Sequence, residues 1–130
     1  MSHERAVLAA FAALYAAATE ARDAQAIVEL FDDDEGITFW GSDEPEQALG
    51  GREVRALAEA IVASPVSFHF DWRETRAQVA GDVAWVNAAG TLTLAGAADR
   101  TVPYRVTAVF VRRDGRWLWH THNGSEPNQP

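Results

Sequence analysis

Apolar positions repeat at two different periods along this chain, and the change falls near residue 65. Before it, Val7, Leu8, Phe11, Leu14 and Tyr15 are spaced three and four apart, as one buried face of a helix requires. Ser2 stands where it can cap that helix. Asp23 precedes a second stripe, Ile27, Leu30 and Phe31, and is placed to accept its free N–H groups. The run Asp32, Asp33, Asp34, Glu35 and then Gly36 predicts a stop, because carboxylates oppose the negative helix C-terminus and glycine frees the backbone. Ile37 to Trp40 reads as a short strand and Gly41 to Gly50 as a loop. Val54, Leu57, Ala58, Ile61 and Val62 predict a third helix that Ser64 and Pro65 end.

From Val66 the period is two. Four strands are expected, roughly Val66 to Gln78, Val83 to Leu94, Thr101 to Val111 and Trp117 to Asn123. Ala80-Gly81-Asp82 and Asp114-Gly115 carry tight-turn chemistry, and the connection Ala95 to Arg100 is also short. Sequential hairpins make an antiparallel meander, which beside three helices is an α+β arrangement. No repeat, linker or low-complexity block interrupts the 130 residues, so one domain, 1–130, is expected.

Composition narrows the chemistry. At 48% hydrophobic the chain can bury roughly two-thirds of its unfolded surface. A formal charge of −8 argues against nucleic acid and anionic membranes as partners. All eleven basic residues are Arg, which removes Schiff-base chemistry, and the absence of Cys removes thiolate nucleophiles, disulfides and zinc–thiolate sites. The N-terminal apolar stretch is amphipathic and carries Glu4, and no apolar run is long enough to span a bilayer. A soluble cytoplasmic protein is the expectation.

The stretch YAAATEARDAQAIVELFDDD from Tyr15 to Asp34 is followed by a short strand and by Gly51-Arg52-Glu53 opening a helix. With the C-terminal Asp-Gly turn, Trp117, the His-rich strand and Ser125, this order resembles the ketosteroid-isomerase-like and SnoaL-like families. The resemblance implies a curved antiparallel sheet wrapped around three N-terminal helices, a cone-shaped α+β barrel. It further implies a pocket between the concave face and the first helix, commonly in a homodimer. That fold hosts isomerases, cyclases, dehydratases, epoxide hydrolases and non-catalytic binding modules. In the isomerases a tyrosine on the first helix and a protonated aspartate on a late strand form the oxyanion hole, and a second aspartate on the first strand is the base. Tyr15 matches the tyrosine. The base position falls on Trp40, with Asp43 the nearest carboxylate, and the protonated-aspartate position falls near Thr107, so a steroid isomerase mechanism is not assigned.

Other residues carry chemistry of their own. His120 and His122 are two apart on a strand and so share a face, opposite Trp117, Trp119 and Thr121. Aligning Ser125 and Glu126 with the isomerase-like C-terminus turns both histidines inward, where imidazoles shuttle protons near neutral pH or serve as polar wall. The same alignment turns Arg105, Thr107 and Val109 inward. An inward Arg105 needs Asp71 or an anionic ligand, since an unpaired buried charge is costly; otherwise it faces solvent. His69 and Asp71 alternate with Phe68, Phe70 and Trp72, and the sequence leaves open which set faces the pocket. Tyr15 is either core with a satisfied hydroxyl or the hydrogen-bond donor of a site. The loop Asp43-Glu44-Pro45-Glu46 either covers a pocket mouth or is simply solvated. Gly50-Gly51 lacks nucleotide-site spacing, and Ser125 lacks a nucleophile-elbow pattern.

Together these residues predict a pocket for a small, partly apolar organic molecule, lined by Tyr15, Trp40, Arg105, His120 and His122 and polar at its deep end. Two functions remain open: a cofactor-independent acid–base enzyme (isomerase, dehydratase or cyclase type) with a His as base and Tyr15 as donor, or a non-catalytic ligand- or partner-binding module. His69, Asp71, His120 and His122 form the one conceivable metal cluster, and neither metal nor organic cofactor is expected. The third and fourth strands are apolar on both faces, which predicts a homodimer through the convex face of the sheet.

Overall fold

The structure, a computed structural model, describes residues 2–96 and 99–128. Its first helix, α1 (His3–Tyr15), begins where the Ser2 hydroxyl accepts the Arg5 N–H at 3.2 Å, and it buries Val7, Phe11, Leu14 and Tyr15. Past Tyr15 the helix widens into a π-helical segment, Ala16–Ala21, with the Thr19 hydroxyl donating to the Tyr15 carbonyl at 2.7 Å. Arg22 ends it in the left-handed region, φ 49°. Asp23 caps α2 (Ala24–Glu29), its Oδ1 accepting the Ala26 N–H at 3.1 Å. The third helix, α3 (Gly50–Ala63), ends against the Arg22 guanidinium, which donates to the carbonyls of Ile61, Val62 and Ser64. A cation there meets the negative end of the helix dipole.

Six strands follow the helices or fall between them: β1 (Thr38–Trp40), β2 (Gln47–Leu49), β3 (Ser67–Ala80), β4 (Val83–Ala95), β5 (Arg100–Arg113) and β6 (Arg116–Ser125). They form one sheet in the order β2-β1-β6-β5-β4-β3. The meander β3 to β6 is antiparallel, as expected. Residues 97 and 98, in the connection expected at Ala95 to Arg100, lie outside the described residues. The sheet as a whole is mixed and open, not wholly antiparallel, because β1 runs parallel to β6. The reason lies upstream: the Asp32 N–H donates to the Trp119 carbonyl and the Trp119 N–H to the Leu30 carbonyl, so the chain leaving α2 is already laid parallel along β6. β2 emerges within the stretch expected as loop; with only Ala48 buried among Gln47, Ala48 and Leu49, three residues carry too little alternation to announce a strand.

The helices cover one face of the sheet. On that face lie Phe68, Phe70 and Trp72 of β3, Val86, Ala88 and Leu92 of β4, and Tyr104, Val106, Ala108 and Phe110 of β5. Two β-bulges interrupt the alternation, at Arg73 in β3 and at His120 in β6. Opposite the first, Gly90 faces Trp72 so closely that a Cβ would overlap the Asp71 carbonyl oxygen. Gly90→Ala is therefore expected to destabilise the fold by about 2 kcal/mol or more, a fall in Tm of roughly 6–10 °C. Thermal unfolding followed by circular dichroism checks it, and an unchanged Tm would mean that β3 and β4 lie farther apart here.

Candidate functional site

The β6 bulge decides which side chains meet beneath α1. Trp117 and Trp119 face the helices by ordinary alternation, and His120 is the extra residue, since Phe110 pairs with Trp119 but Val109 with Thr121. The parity then resets, so His122 and Gly124 face the helices too. His120 is turned away: its Nε2 lies 3.0 Å from Asp34 Oδ2 and its Nδ1 2.9 Å from the Thr121 hydroxyl. That contact with Asp34 holds the Asp34 carboxyl below its ordinary pKa.

His122, 4% exposed, meets Tyr15, 8% exposed, across the interior. The His122 Nδ1 is 2.9 Å from the Trp40 carbonyl oxygen. A carbonyl only accepts, so Nδ1 carries the proton, and Nε2 is left to accept the Tyr15 O–H at 3.0 Å. Phe39 and Phe70 pack against the pair, with ring centroids 4.9 Å from His122 and 4.8 Å from Tyr15 respectively. Burial among these rings lowers the His122 pKa to about 4, against the opposing pull of the Trp40 carbonyl. Burial, reinforced by Tyr104, raises the Tyr15 pKa well above its usual 10. Both groups are neutral at physiological pH.

The pair lies on the wall of a cavity of about 100 Å³. Its apolar walls include Leu14, Phe39, Phe68, Phe70 and Leu92, and Tyr104 lies on the same surface. The Tyr104 hydroxyl occupies space left by Gly124, where any Cβ would overlap it. Its pKa is pushed up to about 12, first by burial, with Ser42 opposing and Glu46, Glu126 and Asp43 adding repulsion. The mouth is polar: Ser42, Asp43, Glu46, Arg100 and Glu126. Ser42 donates to Glu126 Oε2 at 2.9 Å, and Arg100 stands 3.7 Å from Glu126 Oε1. Glu46 accepts the Asp43 N–H at 3.0 Å and fills the space left by Gly41. Partial burial raises the Glu46 pKa; the Asp43 N–H opposes this, and the Asp43 and Glu126 charges add to it.

Of the residues expected at the site, Tyr15 and His122 come together at the cavity, and the others do not. His120 shares no face with His122, because strict alternation fails at the bulge. Arg105 and Thr107 are exposed on the outer face, where they line a groove of about 420 Å³ with Glu74, Arg76 and Asn87, and Val109 faces the same way. The reason is that Tyr104, Val106, Ala108 and Phe110 form the more apolar set of β5 and take the interior. His69 and Asp71 lie on the outer face for the same reason, opposite Phe68, Phe70 and Trp72. No Arg105–Asp71 ion pair forms among the described residues, and β4 separates their strands. Trp40 contributes its carbonyl oxygen, while its residue is 41% exposed, since Phe39 takes the inward position on β1. The structure adds Tyr104 and Glu126 to the site, and it singles out Glu46 from the acidic loop. The apolar alternation around Tyr104 is the signal for the first; nothing in the sequence joins the two glutamates, which stand on segments far apart.

The chain belongs to the SnoaL-like domain family, whose sequence profile matches residues 7–129. A search of curated proteins finds no sequence match. Among solved structures, a candidate dehydratase of the NTF2-like family from Streptomyces avermitilis superposes with a TM-score of 0.86 at 21% identity, over 97% of this chain and 96% of its own. A ketosteroid isomerase-like protein from Erwinia carotovora atroseptica gives 0.76 at 20% identity, over 98% of each chain. A hexachlorocyclohexane dehydrochlorinase gives 0.79 at 16% identity, over 95% and 84%. At these identities the likeness establishes the fold.

The depressed His122 pKa has a consequence for stability. Unfolded, the imidazole takes a proton near pH 6.5; folded, it does so only near pH 4. The unfolded state therefore binds more protons in that window, and the contribution present above pH 6.5 is lost as pH falls toward 4. The loss amounts to roughly 3 kcal/mol by pH 4. Urea unfolding of the wild type and His122→Gln at pH 7 and pH 4 is expected to show the wild type losing that much more than the variant. Parallel losses in the two proteins would mean that His122 titrates normally.

Proposed function

We propose that this SnoaL-like chain, as one domain spanning 1–130, binds a small, partly apolar organic molecule in the Tyr15–His122 cavity and performs cofactor-independent acid–base chemistry on it. The observation that carries this reading is the buried hydrogen bond between Tyr15 and His122 on the cavity wall. If the Tyr15 hydroxyl turns to donate to a substrate carbonyl oxygen, His122 Nε2 is released to take the proton from the adjacent carbon. The Nδ1–H stays on the Trp40 carbonyl, which fixes the tautomer and steadies the imidazolium that forms. Isomerisation, dehydration and aldol-type cyclisation all begin with that proton transfer.

One observation favours a second reading, a non-catalytic binding module. An imidazole whose pKa is lowered to about 4 is a weak base at neutral pH. Hydrogen–deuterium exchange separates the two. Cyclopentanone in D₂O near neutral pH is expected to exchange its α-protons faster with the protein than in buffer. Tyr15→Phe and His122→Ala are each expected to slow the excess rate about 100-fold or more. Saturable binding without exchange would support the binding module, and neither binding nor exchange would remove both readings.

The outer face supports a homodimer. Trp85 pairs across β4 and β5 with Val109, and Val83, 43% exposed, pairs with Val111, giving an apolar strip on the face away from the helices, with no element among the described residues packed over it. Light scattering is expected to give a dimer for the wild type and a monomer for Trp85→Arg; a monomeric wild type would end the proposal. The reading requires no metal or organic cofactor, and the four residues do not converge: His69 and Asp71 lie on the outer face of β3, His122 faces the helices, and His120 is turned away from His122 toward Asp34. No helix among the described residues is long and apolar enough to cross a membrane. The acidic charge supports the absence of nucleic-acid and membrane partners, and we place the protein in the cytoplasm.

A further inference from the structure

We propose that the cavity selects small organic cations, an ammonium group on an apolar body of about one ring, and that Glu46 is the residue that receives the charge. The inference rests on the reading of the cavity as a ligand site and names the class of ligand.

The mouth sets three carboxylates, Asp43, Glu46 and Glu126, against the guanidinium of Arg100. That guanidinium lies beside Glu126, 3.7 Å from its Oε1, and the same carboxylate accepts the Ser42 hydroxyl. Glu46 has only the Asp43 backbone N–H, and among the described residues no cation pairs with it. Its carboxylate occupies the space that Gly41 leaves, partly desolvated beside two like charges. The raised pKa of Glu46 reports the same strain on the ionised form. A ligand ammonium supplies the missing opposite charge through a charge-assisted hydrogen bond.

An anionic ligand is disfavoured at both ends: at the mouth Arg100 stands among three carboxylates, and among the described residues no cation lines the deep end. An anionic head group would need a cation there, and the nearest candidate, His122, is held neutral with its Nδ1–H committed to the Trp40 carbonyl. Tyr15 directs its proton to His122, and burial keeps both groups neutral, so the deep end offers no charge to a ligand. The volume sets the body size: about 100 Å³ is less than the roughly 150 Å³ of an engineered apolar cavity that holds benzene. The interior therefore admits at most one small ring, and any substituent on it is left at the mouth.

Calorimetric titration of the full chain at pH 7.5 with benzylamine, benzyl alcohol and benzoate tests the proposal, since the three share a ring and differ in charge. Benzylamine is expected to bind about tenfold or more tighter than benzyl alcohol, and benzoate not to saturate. In Glu46→Gln, with unchanged circular dichroism, the ratio of benzylamine to benzyl alcohol affinity is expected to fall within about threefold. Benzyl alcohol or benzoate binding as tightly as benzylamine to the wild type would overturn the proposal while leaving the cavity a ligand site. A ratio unchanged in Glu46→Gln would overturn the role of Glu46. Failure of all three compounds to saturate would overturn the ligand-site reading together with this one.

Discussion

One extra residue in the last strand holds the interior together. The bulge at His120 lets Trp119 and His122 face the helices, although an uninterrupted strand would place them on opposite faces. Trp119 is fully buried, donates from Nε1 to the Ala10 carbonyl at 2.9 Å, and packs on Phe110 with ring centroids 4.6 Å apart. His122 reaches Tyr15 farther along α1. Without the bulge, either the indole or the imidazole would be lost from the interior. The residue it expels is put to use: His120 docks on Asp34, while the neighbouring Asp32 is held by Arg113 at 3.2 Å. The acidic segment after α2, which has no favourable place beside a helix C-terminus, is thus held by cationic and imidazole groups from β5 and β6.

The cavity separates two kinds of recognition by depth. Its inner end is neutral, because burial among aromatic rings opposes ionisation of both Tyr15 and His122 and each satisfies the other. Shape and hydrogen-bond direction are all that such a surface can read. Its outer end is charged, and the charge comes from three separate places: the β1–β2 connection, the start of β5 and the segment after β6. Loops of this kind vary without disturbing the packed sheet, which is how one fold comes to serve many ligands. Two glycines make the arrangement possible, Gly124 beneath the Tyr104 hydroxyl and Gly41 beneath the Glu46 carboxylate.

Local chemistry along the chain is enough to place the elements. Three- and four-residue spacing puts α1, α2 and α3 near their observed positions, Ser2 and Asp23 cap as their side chains allow, and the four long strands and their turns follow from a period of two. Tyr15 is legible from the pattern of the first helix, whereas the inward turn of His122 comes from the family resemblance, since alternation alone sets it on one face with His120. Stripes, caps and turns depend on neighbours in the chain. The face that each strand turns inward is settled only by packing in three dimensions. A period of two has no preferred phase of its own: a single inserted residue exchanges the faces, and the choice falls to whichever set buries more apolar surface against the helices. That competition puts Tyr104 inside in place of Arg105, puts Phe70 inside in place of Asp71, and splits His120 from His122. The acidic loop before β2 is visible in the sequence, but its meeting with Glu126 is not. Ser42 and Glu126 come together only once β1 has paired in parallel with β6, a contact between segments far apart in the chain that no local pattern encodes.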